Sequence, residues 1–232
     1  MITKELNDFT SLDFLSGEVV LIDKEKGDSS FRAVNKLRKI INVRKVGHAG
    51  TLDPAATGLL IMCTGKMTKQ IYKYQDLDKT YTGIIGLGKT TESMDGETEF
   101  NSEKGIEGIT KQMIFSTRDK FSGDCLQIPP MYSAIKHKGK RLYKLAREGR
   151  EVKREPRQIT IHSFEIEKIE MPDIYFRINC SKGTYIRVIA DDFGRELGCG
   201  GYLKSLRRTS IGDYSVDNAF TLEELEGKLA AH

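Results

Sequence analysis

Gly47-His48-Ala49-Gly50-Thr51-Leu52-Asp53-Pro54-Ala55-Ala56-Thr57-Gly58-Leu59-Leu60 is the stretch on which the reading of this chain turns. It carries one carboxylate, Asp53, among small residues, with three glycines and a proline around it. That composition describes a fixed turn whose backbone can approach another group closely. Leu59-Leu60-Ile61-Met62-Cys63 follows at once, an apolar run expected to form a buried strand. An Asp-Pro turn feeding a core strand would explain an isolated Gly-Thr-x-Asp-Pro. Here the frame continues through Gly65, Thr68 and Lys69, which a simple turn does not require.

Outward from this loop the chain alternates between strand and helix patterns. Glu18-Val19-Val20-Leu21-Ile22 reads as a strand, and Ser29 or Ser30 caps an amphipathic helix with apolar Phe31, Val34, Leu37, Ile40 and Ile41. After the loop come a short helix over 66–74, a strand over 80–87, an acidic loop over 90–99 and a helix within 106–121. Gln127-Ile128-Pro129-Pro130 breaks regularity. Residues 158–169 and 173–180 alternate as a strand pair, and Gly183-Thr184 opens a helix that ends near Gly198. A strand over 202–214 and a helix capped by Thr221 complete the chain. Mixed elements without strict alternation predict an α+β fold around a largely antiparallel sheet flanked by helices.

At 232 residues the chain can bury a core as one large domain or two small ones. No apolar run approaches the ~20 residues of a membrane helix, and residues 1–15 lack the layout of a signal peptide, so a cytoplasmic protein is expected. Neither Cys63, Cys125, Cys180 and Cys199 nor the four histidines show metal-ligand spacing; the cysteines are expected as reduced, packed hydrophobes, with no metal. Net charge is only +4, yet residues 136–157 hold ten Lys or Arg against three Glu. So concentrated a basic segment in a near-neutral protein points to a polyanion, most simply nucleic acid. The alternative is a solvated helix whose charges pair with one another.

The loop frame (His48, Gly50, Thr51, Leu52, Asp53, Pro54, Ala56, Gly58, Leu59, Gly65, Thr68, Lys69) resembles the catalytic motif of the TruB family of pseudouridine synthases. The likeness extends along the chain. Ile22-Asp23-Lys24 through Ser29-Ser30 is similar to the family's opening segment, with Glu25 where proline is usual, and Met67 replaces a usual alanine. Lys79-Thr80-Tyr81 with Gly88, Thr90 and Asp95 resembles its second segment. Gln127 through Ala134 and Gly139 through Tyr143 resemble an RNA-gripping thumb insertion, placed at about 127–157. Ser181 through Arg187 and Leu206-Arg207-Arg208-Thr209 resemble the remaining active-site segments.

The resemblance implies a single catalytic domain over 1–232, a monomer acting on the T arm of tRNA, conventionally at uridine 55, with no cofactor. It implies no C-terminal RNA-binding domain, since 18 residues follow Tyr214. Asp53 is implied as the carboxylate beside the sugar, Arg187 as its ion-pair partner, and Tyr81 as the ring that stacks on uracil and assists proton removal at C5. His48 is implied to stack in RNA, Tyr185 and Leu206 to line the pocket, and Lys24 to support the loop or contact phosphate. Lys136, Lys140 and Arg141 are the implied thumb contacts to RNA.

Two other classes compete. A non-catalytic RNA-binding or tRNA-folding module would need the basic arm but not Asp53, Tyr81 and Arg187 together. Gly83-Ile84-Ile85-Gly86-Leu87-Gly88-Lys89-Thr90 matches a Walker A pattern, but its glycines fall in an alternating strand and an acidic, glycine-broken segment follows. A phosphate loop needs a helix there.

Overall fold

The computed structural model describes residues 1–231. In chain order its elements are β1 (Val19–Lys24), α1 (Ser30–Ile40), β2 (Val46–His48), β3 (Thr57–Thr64), α2 (Ile71–Gln75), β4 (Lys79–Leu87), β5 (Lys89–Thr91) and β6 (Phe100–Glu103). There follow α3 (Lys111–Asp119), β7 (Gly123–Gln127), β8 (Lys136–His137), β9 (Lys140–Arg141), α4 (Leu142–Arg147), β10 (Arg157–Glu170) and β11 (Asp173–Cys180). The last are α5 (Ile186–Glu196), β12 (Gly201–Ile211), β13 (Tyr214–Ser215) and α6 (Leu222–Ala230). The fold is α+β, as expected. The chain divides into two compact units, Met1–Thr82 with the stretch from Leu206 onward, and Gly83–Ser205.

In the first unit β1 and β3 pair antiparallel from Val19↔Cys63 to Lys24↔Gly58. Both strands are apolar at successive positions, so both faces must be covered. On one face Val20, Ile22, Leu60 and Met62 pack with Ala33, Val34 and Leu37 of α1 and with Phe220 and Leu225. On the other, Val19, Leu21, Leu59, Ile61 and Cys63 pack with Ala49, Ile211, Val216 and Ala219. Each such side chain contributes about 1.5–3 kcal/mol on burial. Ser29 caps α1, accepting from the Arg32 amide, and Thr221 with Glu224 forms a capping box on α6. Phe31, expected on the buried stripe of α1, is instead 65% exposed: the register that buries Ala33, Val34 and Leu37 turns it outward.

The second unit is built on β10, whose fourteen residues pair antiparallel with β11 and also with β7. Phe164, Phe176, Phe193 and Phe121 meet at its centre with ring centroids 5.7–6.2 Å apart. The polar, exposed pattern of β7 carries no strand signal, and Cys125 on it is exposed rather than packed. The Walker-like stretch lies on β4 and β5, and a turn, not a helix, follows. Packing accounts for its glycines: a Cβ at Gly83 would lie 2.4 Å from the Ser205 carbonyl oxygen, and one at Gly86 2.6 Å from the Tyr202 ring. Among the described residues no helix is long and apolar enough to cross a membrane.

β12 pairs with β3 in parallel, setting Arg207 beside Thr57 and Arg208 beside Gly58. Gly58 has φ +103°, and a Cβ there would stand 2.2 Å from the Arg208 carbonyl oxygen. Two glycine-to-alanine changes should therefore have opposite signs. Gly58→Ala should destabilise the protein by roughly 2–5 kcal/mol through strain and overlap. Gly227→Ala, in α6 with nothing within 4 Å of the added carbon, should stabilise it by about 0.5–1 kcal/mol. Urea unfolding midpoints of the two variants check both signs.

Candidate active site

Asp53 sits half-buried in the connection from β2 to β3, and backbone bonds fix its surroundings. Ser30, 2% exposed at the start of α1, binds Leu52 twice: its Oγ accepts the Leu52 amide at 2.8 Å and donates to the Leu52 carbonyl at 3.0 Å. The Gly27 amide donates to the Pro54 carbonyl at 2.8 Å, and the Ala56 amide closes a turn on the Asp53 carbonyl at 3.1 Å. Arg208, 1% exposed, donates from Nε to the Leu59 carbonyl at 2.7 Å and from Nη2 to the Gly50 carbonyl at 3.2 Å. One guanidinium thus grips the loop on both sides of Asp53. Its neighbour Arg207 forms a bidentate pair with Asp23 at 2.6 and 3.0 Å.

Buried cations set the electrostatics of this loop. Lys24, 2% exposed, donates from Nζ to the carbonyls of Glu25 at 2.8 Å and Asp28 at 2.7 Å. Burial pushes its pKa below the ordinary lysine value, while the charges of Asp28 and Asp53 pull it back up. Lys24 is therefore a strut of the opening segment whose charge is sensed at Asp53. His48, half-buried at the end of β2, is held below the usual histidine pKa by burial and by the charge of Arg208, with the Gly50 backbone opposing. Among the described residues its Nδ1 is buried without a hydrogen-bond partner. Tyr81, 8% exposed on β4, and Leu206, half-buried on β12, belong to the same unit.

In the second unit the Gly183 turn leads to Tyr185, the N-cap of α5, and places Arg187 in the helix's first turn. Arg187 is 4% exposed; its Nη1 lies 3.1 Å from Asp95 Oδ2, and Nη2 donates to the Tyr132 carbonyl at 2.5 Å. Asp95 is itself fixed, accepting from Ser93 Oγ at 2.6 Å and from the Glu97 amide at 2.9 Å. Tyr185 is half-buried, its ring centroid 5.8 Å from the Arg187 guanidinium. Gln127, 6% exposed, bonds both backbone groups of Tyr185.

The basic arm is neither disordered nor a plain solvated helix. Leu142, Leu145 and Ala146 of α4 are buried, while β8 and β9 form a small hairpin that carries Lys136, Lys140 and Arg141 on its exposed surface. Arg147 pairs with Glu97, Arg150 with Glu148, Lys153 with Glu155 and Arg154 with Glu151. Among the described residues Lys136, Lys140 and Arg141 make no ion pair, which leaves their charge for an external anion. A carboxylate on a loop fixed through its backbone, buried cations and an exposed basic hairpin suit chemistry on a polyanionic substrate. Asp95 as an anchor of Arg187 and Gln127 as a clamp on Tyr185 carry no sequence signal of those roles, because the partners lie 92 and 58 positions away.

Two family models cover most of the chain. TruB family pseudouridylate synthase (N terminal domain) matches residues 38–186, and tRNA pseudouridylate synthase B C-terminal domain matches residues 187–232. The tRNA pseudouridine synthase B of Flavobacterium johnsoniae is 48% identical over 95% of this chain and 99% of that protein. The protein of the same name from Chloroherpeton thalassium is 47% identical over 92% of this chain and 90% of its own length. Among solved structures, a chain in the crystal structure of a Cbf5-Nop10-Gar1 complex aligns with a TM-score of 0.74 at 27% identity. That alignment covers 98% of this chain and 58% of the solved one.

The depressed pKa of His48 has a signed consequence. The folded state holds the imidazole neutral while the unfolded state takes up a proton near pH 6.5, so stability is full above that pH and falls as the solution is acidified. Replacing it by His48→Gln should remove this loss, so unfolding free energies of the two proteins should diverge below about pH 6.5 in favour of the variant. Parallel urea titrations at pH 7.5 and pH 5.5 measure the divergence.

Proposed function

The chain belongs to the TruB family of pseudouridylate synthases, and on that premise we propose that it isomerises the T-loop uridine of tRNA to pseudouridine. The reaction breaks the bond from uracil N1 to C1′ of the ribose, turns the base and rejoins it through C5. Atoms balance without a second substrate; the C5 proton leaves and N1 gains one. Asp53 acts beside the sugar, either by attack on C1′ or by assisting its deprotonation. The observation that supports this reading best is the fixation of the Asp53 loop by Ser30, Gly27 and Arg208. A carboxylate held before substrate arrives needs little reorganisation in the transition state.

Arg187 serves as the active-site cation, Tyr81 stacks on the extruded uracil and assists loss of the C5 proton, and Tyr185 and Leu206 line the base pocket. His48, neutral by virtue of its burial, stacks in the space that the flipped base leaves. The arm over 127–157 grips RNA phosphates, and residues 1–232 act as a single catalytic domain. We place the enzyme in the cytoplasm, acting as a monomer and without a cofactor.

Incubating pure protein with an unmodified tRNA transcript and mapping pseudouridine chemically tests the reading. The wild-type protein should modify the T loop; Asp53→Asn, which keeps shape and removes charge, should bind tRNA within a few-fold and form no product. Tyr81→Phe should bind normally and turn over roughly 10²–10⁴-fold more slowly. Product from Asp53→Asn would remove Asp53 from the mechanism, and binding without product by the wild type would leave only an RNA-binding or tRNA-folding module.

A second measurement addresses the arm. Alanine at Lys136, Lys140 and Arg141 together should weaken tRNA binding and flatten its dependence on salt. Each lost phosphate contact should lower the log–log slope by about 0.7–0.9. An unchanged slope would make the hairpin a bystander.

A further inference from the structure

Gln127 ends β7 and immediately precedes Ile128-Pro129-Pro130, the stiff root of the arm. Its side chain is buried against a piece of backbone rather than another side chain. The Tyr185 amide donates to Oε1 at 2.8 Å, and Nε2 donates to the Tyr185 carbonyl at 3.1 Å. A backbone N–H and a backbone C=O leave the amide only one orientation, so the pair behaves like one rung of a ladder between strand and helix. Tyr185 is the N-cap of α5 but receives no cap from a side chain of its own. Five residues past Gln127, the Tyr132 carbonyl takes the Nη2 bond of Arg187 at 2.5 Å. The root of the arm therefore holds the head of α5 at two points, one through backbone and one through the guanidinium.

We propose that Gln127 is a positioning residue for the reaction: its amide fixes the backbone of Tyr185 at the head of α5, and so sets where the Tyr185 ring and the Arg187 guanidinium stand. The proposal rests on the roles given to Tyr185 and Arg187 above. A misplacement of about 1 Å at such groups costs on the order of 10²-fold in rate. The same link makes the arm's root and the active-site helix one mechanical piece, so a pull on the arm by bound RNA is felt at Arg187.

Two volume-matched variants test this in the full chain. Gln127→Met makes neither bond. Hydrogen exchange at the Tyr185 amide should accelerate, the melting transition should stay cooperative, and tRNA affinity should hold within a few-fold. Single-turnover pseudouridine formation at saturating tRNA should fall by roughly 10²-fold. Gln127→Glu keeps the acceptor for the Tyr185 amide but loses the donor while ionised; once protonated it reproduces both bonds. Its rate relative to wild type should therefore climb as pH falls from 8 towards 5.5.

Charged groups near this position include Arg157 opposite it on β10 and Arg187 two residues past Tyr185 on α5, with Asp124 and Asp192 acting on Cys125, two residues before Gln127. The cations favour the ionised side chain, whereas the Tyr185 carbonyl and the two aspartates favour the protonated one. A wild-type rate in Gln127→Met overturns the proposal, as does a rate loss matched by an equal loss of tRNA binding or of folded protein. A Gln127→Glu rate whose ratio to wild type ignores pH overturns it as well. Failure of the wild-type protein to form pseudouridine would overturn the functional reading instead, because exchange at the Tyr185 amide reports the Gln127 clamp without any turnover.

Discussion

The first unit depends on one buried guanidinium. Arg208 reaches from β12 to the carbonyls of Gly50 and Leu59, and these bracket the loop that carries Asp53. That reach is possible only because β12 runs parallel to β3 with Arg208 beside Gly58, where a residue without Cβ lets the two backbones touch. Burial of β1 and β3 on both faces then locks the register, since a slip by one residue would exchange the two sets of core side chains. Core packing, parallel pairing and loop geometry are thus parts of one constraint.

Electrostatics add a second layer. Removing an ammonium and a guanidinium from water is costly, and Lys24 and Arg208 are both almost wholly buried. Backbone carbonyls accept their protons, and the through-space charges of Asp28 and Asp53 favour the charged form of Lys24. The carboxylate assigned to chemistry therefore belongs to the electrostatic balance of the fold as well. Arg187 in the second unit obeys the same logic with Asp95, itself held by a hydroxyl and an amide.

Sequence made much of this legible where one physical signal dominates. The apolar runs of β1 and β3, the Ser29 and Thr221 caps, the alternation in β10 and β11 and the glycine turn before α5 all fall where pattern places them. The signal failed where burial is partial or a partner is remote. Phe31 fits a helical stripe but faces water; β7 is too polar to announce a strand; α4 hides its buried Leu142 and Leu145 among cations. The loop around Asp53 could be singled out by its composition and frame, and the resemblance offered loop support as one role of Lys24, yet nothing in the string tells that its Nζ is buried on the Glu25 and Asp28 carbonyls or that Gln127 reaches Tyr185. Those are properties of three-dimensional neighbours, and spacing does not encode them.

The ion pairs of the arm change what its charge means thermodynamically. Arg147, Arg150, Lys153 and Arg154 already face carboxylates, whereas Lys136, Lys140 and Arg141 face solvent. When a paired arginine exchanges its glutamate for a phosphate, salt weakens the ion pair it leaves as well as the phosphate contact it makes, and the two effects partly offset. Only the unpaired cations release ions outright. Salt dependence therefore counts the hairpin and passes over much of the helix and its flank, so the arm can touch more phosphates than its ionic signature records.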